Sequence, residues 1–409
     1  MRATGIYNPR VLTVREAWAV LDDAVAASAA EMIPLSEGLG RILARDVTSD
    51  VDWPPFDTSA MDGYALSTRD ASGETDRRER PGLVAAGDAI PPPLATGEAV
   101  RLMTGAPLPA GADAVVPVEE SHPEAGRVRF DREPAPGAHL RRRGESVAAG
   151  TVLLREGGRL DPSGIALAAL AGADPLSVRR RPRVAIATTG NELVAAREMP
   201  REGRLRDSNG PMLAALCRAR GWPAALWRPV PDDAAAVDRL FTAPADGFDV
   251  LVTSGGVSAG DLDLLPPAAQ RAGWEILFHR VSVRPGKPVA FARREGCFWF
   301  GLPGNPVSAS ACFHLFVRRA LDRFEGARDP GPPEVRARLT RDLGPPGPRE
   351  TYRDALLSDG EGERLAEPLR SAGSHDLLSH ARANALIRIP GGAGPLPAGS
   401  IVTCVLLER

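Results

Sequence analysis

The sequence predicts a multidomain α/β protein built around one central parallel-sheet domain. Three apolar runs, 184–187, 249–252 and 297–300, are continuous rather than alternating, which is typical of strands buried on both faces. Amphipathic helical patterns lie between these runs, and alternation of strands with helices favours right-handed crossovers and a parallel sheet. On both sides of this region, short apolar runs punctuated by glycine and proline predict smaller β domains.

The chain before the sheet contains two helix starts. Thr13 and Glu16 have the spacing of a capping box, and an apolar face continues this helix to about residue 27. Asp161 precedes a proline and is expected to cap a second helix, 163–170. We expect the two helices to pack together, so that the β-rich segment between them is an insertion.

These patterns divide the chain into four predicted domains: a helical domain made of two separate segments, a small β domain inserted between them, the α/β domain and a C-terminal β domain. In that order their bounds are 1–52 with 143–180, 53–142, 181–327 and 328–409. Within the α/β domain, longer helices are expected near 211–220 and 306–324, the second with Asn305 as its N-cap.

The composition and charge exclude several classes of protein. The 409 residues are 43% hydrophobic and carry a formal net charge of −2, so no basic field favours nucleic acid or an anionic membrane. The N-terminus has no apolar signal core and no stretch is long enough to span a membrane, so we expect a cytoplasmic protein. The polar, charged stretch 68–82 is expected to be a mobile loop, and arginine runs such as Arg77 with Arg78 are expected at the solvated surface.

The four cysteines are far apart in the sequence, and no two of them form a CxxC pair; they are Cys217, Cys297, Cys312 and Cys404. Such spacing fits neither a disulfide framework nor a zinc site. Cys217 and Cys312 fall within apolar helical patterns, where a free cysteine packs as a small core residue.

Each predicted parallel strand runs directly into a glycine-containing loop. These loops are 188–192, 253–260 and 301–306. In an open parallel sheet such loops meet at the carboxyl edge, where ligands bind. Glycine lets the backbone approach a phosphate, and exposed N–H groups at loops and helix starts bind the anion. One such loop could be turn chemistry alone, but three at one edge favour a nucleotide or phosphate crevice.

Carboxylates accompany the loops. Glu192 lies in the first loop, Asp261 and Asp263 follow the second, and Asp232 and Asp233 lie in another segment. Oxygen ligands beside a phosphate are the usual way in which proteins hold Mg²⁺. Helix capping is the alternative for Asp232 and Asp261, which lie near predicted helix starts. For Glu192 and Asp263 we favour contact with metal or substrate.

Only one of the chain's 50 lysines and arginines is a lysine, Lys287. It lies between two prolines in the sequence Val-Arg-Pro-Gly-Lys-Pro, 283–288. A lysine supplies a compact ammonium with three donors, whereas an arginine supplies a planar fork. The ammonium suits one oxygen of a phosphate or small oxyanion in a tight space. We therefore predict an anion site built around Lys287.

Several ordered motifs resemble those of the molybdopterin molybdenumtransferase family, the molybdenum-cofactor insertases related to the C-terminal part of gephyrin. The motifs are SAMDGYA (59–65), TGAPLPAGADAVV (104–116), TTGNELV (188–194), DSN (207–209), SGGVSAGDLD (254–263), PGKP (285–288) and GLPGNPVSA (301–309). They occur in the family's order and span nearly the whole chain. A lone SGGVS or PGKP would be weak evidence, but the ordered set is specific.

The resemblance implies an elongated homodimer whose α/β domain binds adenylated molybdopterin. It further implies that molybdate is transferred to the dithiolene, that the pyrophosphate linkage is cleaved with Mg²⁺ and that AMP leaves, a late step of molybdenum cofactor biosynthesis. Molybdopterin adenylyltransferase is the implied substrate donor, and molybdoenzymes or cofactor-processing proteins are the implied acceptors. Nucleic acid and membranes are not among the expected partners.

The resemblance also assigns roles to residues that match the family motifs. The implied catalytic residues are Asp62, Thr104, Glu192, Asp263 and Lys287, the first two reaching the crevice across the dimer. The implied Mg²⁺ ligands are Glu192, Asp232 and Asp263. The nucleotide and pterin would contact Asn209, Ser254, Gly255, Gly256, Ser258, Pro303, Gly304 and Asn305. The molybdate pocket would contain Lys287, Pro288, Arg349 and Ser374, with Arg284 gripping phosphate beside it.

Two residues depart from the family pattern. The family usually has aspartate at the position of Asn191, and an amide is a poorer Mg²⁺ ligand than a carboxylate. The family often has lysine at the position of Arg284, where arginine keeps the charge but changes its geometry. The resemblance leaves open whether these changes alter metal or phosphate binding.

Two other functions stay open. The first is a non-catalytic molybdopterin-binding scaffold, because gephyrin also clusters receptors; the converging charges around the glycine loops argue against it. The second is a nucleotide pyrophosphatase of the competence-damage type, which shares a similar α/β domain. The motif at 59–65 argues against the second, because that resemblance would begin only near residue 183.

Overall fold

The computed structural model of the chain describes residues 10–70, 75–227, 229–242, 247–257 and 264–408. Its α-helices are Val14–Ala24, Pro162–Leu170, Asn209–Ala219, Ala234–Thr242, Leu265–Arg271, Pro306–Cys312, Arg318–Phe324 and Leu377–Arg382, and a π-helical turn, Phe313–Val317, joins the sixth to the seventh. Within these described ranges, no helix is long and apolar enough to cross a membrane. The predicted caps of the first two helices are confirmed: Thr13 and Glu16 form a capping box, and Asp161 accepts the Gly164 amide at 2.6 Å.

Short antiparallel strand pairs join the segments on either side of the inserted β region. Ala30–Ile33 pairs with Leu176–Arg179, and Val47–Thr48 pairs with Val152–Leu154. The chain therefore leaves this layer after residue 48 and returns to it at residue 152.

The inserted region forms a six-stranded sheet. In spatial order its strands are Ala114–Pro117, Gly63–Leu66, Glu98–Leu102, Asp76–Val84, Arg127–Phe130 and Ser121–Glu124. The SAMDGYA strand lies between the strands that flank the second motif, because Gly63 is opposite both Leu102 and Pro117. Tyr64 and Phe130 pack edge to face in the core of this sheet. Two motifs that are distant in sequence are thus adjacent in space.

Two surface predictions for this region were wrong. Asp76–Val84 is a strand, whereas the composition predicts a polar loop over 68–82. Arg77 is only 2% exposed and pairs with Glu133 at 2.7 Å. A strand rich in arginine is stable here because carboxylates from other parts of the chain neutralise it, and local polarity does not reveal such partners.

The central sheet has six strands, of which four are parallel. In spatial order they are Ala224–Leu226, Val184–Thr188, Val250–Ser254, Cys297–Leu302, Ala290–Arg294 and Glu275–His279. The last two strands are antiparallel, a feature that the apolar runs did not predict. Glu295 and Gly296 both have positive φ, 51° and 81°, and form the two-residue turn between Ala290–Arg294 and Cys297–Leu302.

Both faces of the central sheet are buried, as the continuous apolar runs predict. Val184 and Ile186 belong to one hydrophobic core, while Ala185 and Ala187 belong to the core on the other face. Cys217 and Cys312 are buried in the first core, which confirms their prediction as core residues. Parallel strands covered on both faces leave their carboxyl ends as the edge accessible to a ligand.

The first helix packs against the central domain. Val14, Ala17 and Leu21 belong to the same core as Phe313 and Phe316. The buried residues of Pro162–Leu170 contribute to a separate core near the short strand pairs. The expectation that the two helices pack together was wrong, because an amphipathic face shows that a helix is covered but does not identify the partner.

The C-terminal segment closes into a small barrel. Its strands are Glu334–Leu339, Glu350–Asp359, Arg364–Pro368, Ala385–Ile389 and Ile401–Leu406, and pairing of the second with the fourth completes the ring. A strand from the preceding segment, Val283–Arg284, adds in parallel to Glu350–Asp359. The loop that follows this strand contains Lys287, so the barrel determines where that loop lies.

Buried ion pairs connect the helix Arg318–Phe324 to other parts of the chain. The Asp322 carboxylate accepts from Arg159 at 2.8 Å and from Arg220 at 2.9 Å, and it is 2% exposed. Glu325 is fully buried and accepts from the indole of Trp222 at 2.8 Å. Burial raises the pKa of Glu325.

Asp322→Ala is expected to lower the free energy of unfolding by about 3–5 kcal/mol, because it leaves buried guanidinium groups without their carboxylate. Urea titration of the two proteins measures the difference. Asp238→Ala is the matched control: Asp238 pairs with Arg271 at 2.6 Å on the exposed surface, and its loss is expected to cost no more than about 1 kcal/mol. Equal losses would contradict the role given to burial.

Candidate active site

The three glycine loops begin at the same level of the central sheet. Thr188 is in register with Ser254, and Ser254 is in register with Leu302. The strands are parallel, so the residues that follow all lie at one carboxyl edge. The structure thus brings these three loops together, as the sequence predicts.

The side chain of Asn209 hydrogen-bonds to both the second and the third loop. Its amide nitrogen donates to the Ser254 hydroxyl at 2.9 Å and to the Gly304 carbonyl at 2.7 Å. Ser254 in turn donates to the Pro303 carbonyl at 3.0 Å. The amide oxygen of Asn209 is buried and has no hydrogen-bond partner among the described residues. A buried acceptor without a partner is costly, and a bound ligand with a donor group would satisfy it.

Gly255 allows two of the loops to touch. Its φ is +100°, and a Cβ at this position would lie 2.4 Å from the carbonyl oxygen of Thr189. Any side chain here would push the first loop away from the second. The hydroxyl of Thr189 is buried and, among the residues that the structure describes, has no partner, so it is a second polar atom available to a ligand.

The first loop also contacts the segment that contains Asp232. The backbone N–H of Asn191 donates to the Asp232 carboxylate at 3.2 Å, and the Asp232 N–H donates to the Asn191 amide oxygen at 3.1 Å. Glu192 lies beside them: a Cβ at Gly190 would be 2.7 Å from both of its carboxylate oxygens. Glu192 and Asp232 therefore both lie at this edge of the sheet.

Asn191 uses its side chain for a structural contact. An aspartate oxygen could accept the Asp232 N–H equally well, so the asparagine preserves this loop contact. It also removes one negative charge from beside Asp232. The asparagine therefore makes this loop contact while placing an uncharged group beside Asp232.

Helix capping is not the role of Asp232. The neighbouring residue, Asp233, caps Ala234–Thr242, because its carboxylate accepts the Ala236 amide at 2.9 Å. The alternative that the sequence leaves open for Asp232 thus applies to Asp233 instead.

Asn305 occupies the N-cap position of Pro306–Cys312, but its side chain makes no capping hydrogen bond. Its amide nitrogen donates instead to the Ser374 hydroxyl at 2.9 Å, and the Val307 amide donates to the Ser374 carbonyl at 3.1 Å. The prediction that the Asn305 side chain caps this helix was wrong, because that side chain instead hydrogen-bonds to Ser374 of the C-terminal segment. These contacts join the glycine loops to the C-terminal region.

A cavity of about 550 Å³ lies beside this junction. The predicted residues Arg284, Lys287, Pro288, Arg349 and Ser374 all line it. Lys287 is positioned by the strand Val283–Arg284 on the barrel and by Gly286, whose missing Cβ would lie 2.3 Å from the Cys312 sulfur. Residues separated by about a fifth of the chain therefore share one wall.

Four cations line this cavity, and none of them is paired with a carboxylate of the described residues. In the described part of the chain, the cavity residues Arg284, Lys287, Arg349 and Arg353 form no ion pair with a carboxylate. Arginines elsewhere commonly do, as Arg77 and Arg220 show. Converging cations without counterions attract an anion.

Asp62 and Thr104 meet on the inserted sheet. The amide and hydroxyl of Thr104 both donate to one carboxylate oxygen of Asp62, at 2.7 Å and 2.8 Å. These hydrogen bonds hold the pKa of Asp62 below its ordinary value. Among the described residues, no hydrogen bond joins this pair to the cavity residues. Both partners lie in loops of the inserted region, next to the strands Gly63–Leu66 and Glu98–Leu102.

Three of the residues predicted from the second glycine loop cannot be placed. Ser258, Asp261 and Asp263 lie outside the described residues. Among the described residues, no three His, Cys, Asp or Glu side chains gather as a metal site.

The sequence analysis missed five residues near the site: Thr189, Thr351, Arg353, Asp354 and His375. Thr189 could have been found from the sequence, because it lies in the TTGNELV motif (188–194). The other four residues follow no glycine loop, and they reach the cavity only because of the fold of the C-terminal barrel.

Comparison with known proteins identifies the family. Family models match in order along the chain: MoeA N-terminal region (domain I and II) over 12–172, probable molybdopterin binding domain over 185–323, and MoeA C-terminal region (domain IV) over 336–407. Molybdopterin molybdenumtransferase 2 of Mycobacterium tuberculosis is 35% identical, covering 95% of this chain and 98% of its own length. The chain belongs to the molybdopterin molybdenumtransferase family. A molybdopterin molybdenumtransferase of Staphylococcus aureus is 31% identical, covering 98% of this chain and 96% of its own length.

A solved structure of the same family supports the architecture. The molybdopterin biosynthesis MoeA protein of Pyrococcus horikoshii has a TM-score of 0.83 and 29% identity, covering 97% of this chain and 100% of that chain. The predicted family and the multidomain α/β fold class are confirmed.

Asp233→Ala is expected to lower the free energy of unfolding by about 1 kcal/mol, because it removes the N-cap of Ala234–Thr242. Asp232→Ala is the matched control with the same chemical change one residue away, and it is expected to cost less than half as much. Urea titration measures both. A larger loss for Asp232→Ala would show that Asp232 has the structural role.

Proposed function

We propose that the protein is a molybdopterin molybdenumtransferase that inserts molybdate into adenylated molybdopterin, with Mg²⁺-dependent cleavage and release of AMP. This reaction is a late step of molybdenum cofactor biosynthesis. The observation that carries the proposal is the junction at Asn305 and Ser374, which connects the glycine-loop edge to a cavity of uncompensated cations. A substrate with a phosphate part and an oxyanion part requires such adjoining sites.

The glycine-loop edge would bind the nucleotide and pterin. The residues proposed for this contact are Asn209, Ser254, Gly255, Gly256, Ser258, Pro303, Gly304 and Asn305. Support comes from the buried polar atoms of Asn209 and Thr189, which lack partners among the described residues. A ligand at this edge would complete their hydrogen bonding.

The cavity would bind molybdate. Lys287 and Ser374 would donate to its oxygens, and Arg349 and Arg284 would supply charge. Arg349 already donates to the Val283 carbonyl at 3.3 Å, so its guanidinium is held in the wall. Fixed donors cost little reorganisation when negative charge arrives.

Glu192, Asp232 and Asp263 would hold Mg²⁺. The donor set fits in chemistry, since carboxylate oxygens are hard ligands, and within the described residues Glu192 forms no ion pair that would compete. When bound, Mg²⁺ would neutralise negative charge on the pyrophosphate. The residues of this chain would orient the linkage between the two sites.

Asp62 and Thr104 would act on the partner's crevice in a homodimer. Thr104 bonds one carboxylate oxygen of Asp62 through its amide and hydroxyl, and these hydrogen bonds lower the pKa of Asp62 and so favour its charged form. The proposal includes a division into four domains, in which the first helix covers the α/β domain. Their bounds are 1–52 with 143–180 for the helical domain, 53–142 for the inserted domain, 181–327 for the α/β domain and 328–409 for the C-terminal domain.

Molybdopterin adenylyltransferase would deliver the substrate, and molybdoenzymes or cofactor-processing proteins would receive the product.

Incubation with adenylated molybdopterin, Mg²⁺ and molybdate is expected to release AMP in a molybdate-dependent reaction. Lys287→Ala is expected to raise the KM for molybdate by about tenfold, the value of one charge-assisted hydrogen bond. Lys287→Arg is the matched control, which keeps the charge and is expected to recover only part of the loss.

Other outcomes of this assay distinguish the alternatives. Binding of the substrate without turnover would favour a scaffold. Molybdate-independent hydrolysis of simple dinucleotides would favour a pyrophosphatase. Unchanged molybdate dependence in Lys287→Ala would remove the anion site from the proposal.

Co-expression of Asp62→Ala and Lys287→Ala chains tests whether the site is shared between subunits. At a molybdate concentration well below the KM, Lys287→Ala alone is expected to retain about a tenth of wild-type activity, in keeping with its tenfold higher KM, and Asp62→Ala alone is expected to be nearly inactive. Random mixed dimers are expected to recover about a quarter of wild-type activity, because half of the dimers are mixed and each of those has one intact site. AMP release from the purified mixture measures the recovery, and none is expected if both residues serve the site of their own chain.

A further inference from the structure

A buried chain of hydrogen bonds lies behind the cavity. One ring nitrogen of His380, Nδ1, is 2.8 Å from an Asp354 carboxylate oxygen, and the other, Nε2, is 2.8 Å from the Ser310 hydroxyl. Ser310 is 2% exposed, and both other residues are 7% exposed. The bond to Ser310 crosses from the helix Pro306–Cys312 to the C-terminal region. These contacts connect the two parts of the molecule that enclose the cavity.

The chemistry of the groups determines the direction of the hydrogen bonds. A carboxylate only accepts, so Nδ1 of His380 donates to Asp354, and in the neutral imidazole Nε2 then accepts from the Ser310 hydroxyl. This is the order of groups found in serine hydrolases. Ser310, however, lies within a helix and is almost fully buried, so a substrate does not reach its hydroxyl. The trio therefore orients a group rather than attacking one.

Asp354 is the acidic residue among those that line the cavity. The cavity otherwise presents the cations Lys287, Arg284, Arg349 and Arg353. A carboxylate that turned toward these cations would neutralise them and repel an entering oxyanion. The hydrogen bond from His380 holds one oxygen of Asp354 against the wall instead.

We propose that His380 is a positioning residue that keeps Asp354 away from the cationic groups and so sets the affinity of the cavity for a tetrahedral oxyanion. Ser310 fixes the orientation of the His380 ring. The inference rests on the proposed molybdate site, which it deepens by naming a group that acts without touching the oxyanion.

His380→Phe tests this role, because phenylalanine keeps a planar ring and removes both nitrogens. The KM for molybdate in the AMP-release assay is expected to rise about tenfold, as Asp354 competes for the cations. The kcat and the KM for adenylated molybdopterin are expected to change by less than about twofold. An unchanged KM for molybdate in a folded variant would overturn the proposal.

A second substitution separates repulsion from a purely structural role. The double variant His380→Phe with Asp354→Asn is expected to recover most of the lost molybdate affinity, because a neutral amide does not compete for the cations. If the trio served only to hold the barrel in place, the double variant would be at least as impaired as His380→Phe. If His380→Phe does not fold, Ser310→Ala takes its place as the test. Its KM for molybdate is expected to rise about threefold, and adding Asp354→Asn is expected to reverse the rise. An unchanged KM for molybdate in Ser310→Ala would overturn the proposal.

The chain offers a matched control. His122 pairs with Asp131 at 2.7 Å on the exposed surface of the inserted sheet, and His122→Phe is expected to leave every kinetic constant unchanged. Failure of the wild-type protein to show molybdate dependence would remove the proposed function itself. Normal wild-type kinetics with an unaffected His380→Phe variant would remove only the present inference.

Discussion

The cavity depends on one strand addition. Val283–Arg284 leaves the central segment and pairs with Glu350–Asp359 of the C-terminal barrel, and the backbone then turns sharply through Gly286 to present Lys287. Without this pairing, the PGKP loop and the barrel residues would have no common wall. The Asn305 contact with Ser374 closes the same junction from the opposite side. Two small sets of hydrogen bonds thus position the cavity beside the glycine loops.

The distribution of charge distinguishes this junction from other polar parts of the molecule. At Asp322 and Arg77, buried charges are matched with partners, because an unpaired buried charge is costly. The cavity cations have no carboxylate partner in the described ranges, and the acid among them, Asp354, is held by His380. A protein retains such an imbalance where a ligand supplies the missing charge. The electrostatics of the cavity therefore favour the binding of an anion.

The glycine-loop edge contains buried polar atoms that are available to a ligand. Asn209 and Thr189 each keep a buried polar atom without a partner in the described part of the chain, which is tolerable when a ligand completes the bonding. Asn191 shows how a departure from the family pattern can be absorbed, because its amide oxygen makes the contact that a carboxylate would make. The side chain at this position thus makes the loop contact without adding a negative charge beside Asp232.

The sequence by itself determined the features that local chemistry controls. The capping groups of the first two helices, the doubly buried parallel strands and the glycine loops at their ends follow from residue type and spacing, and the ordered motifs identified the family. Only the tertiary structure decided that the first helix covers the central core, that Arg77 is buried, that Asn305 bonds Ser374 and that His380 restrains Asp354. Each of these depends on a partner far away in the sequence. Local spacing contains no information about which distant groups the fold will bring within hydrogen-bonding distance.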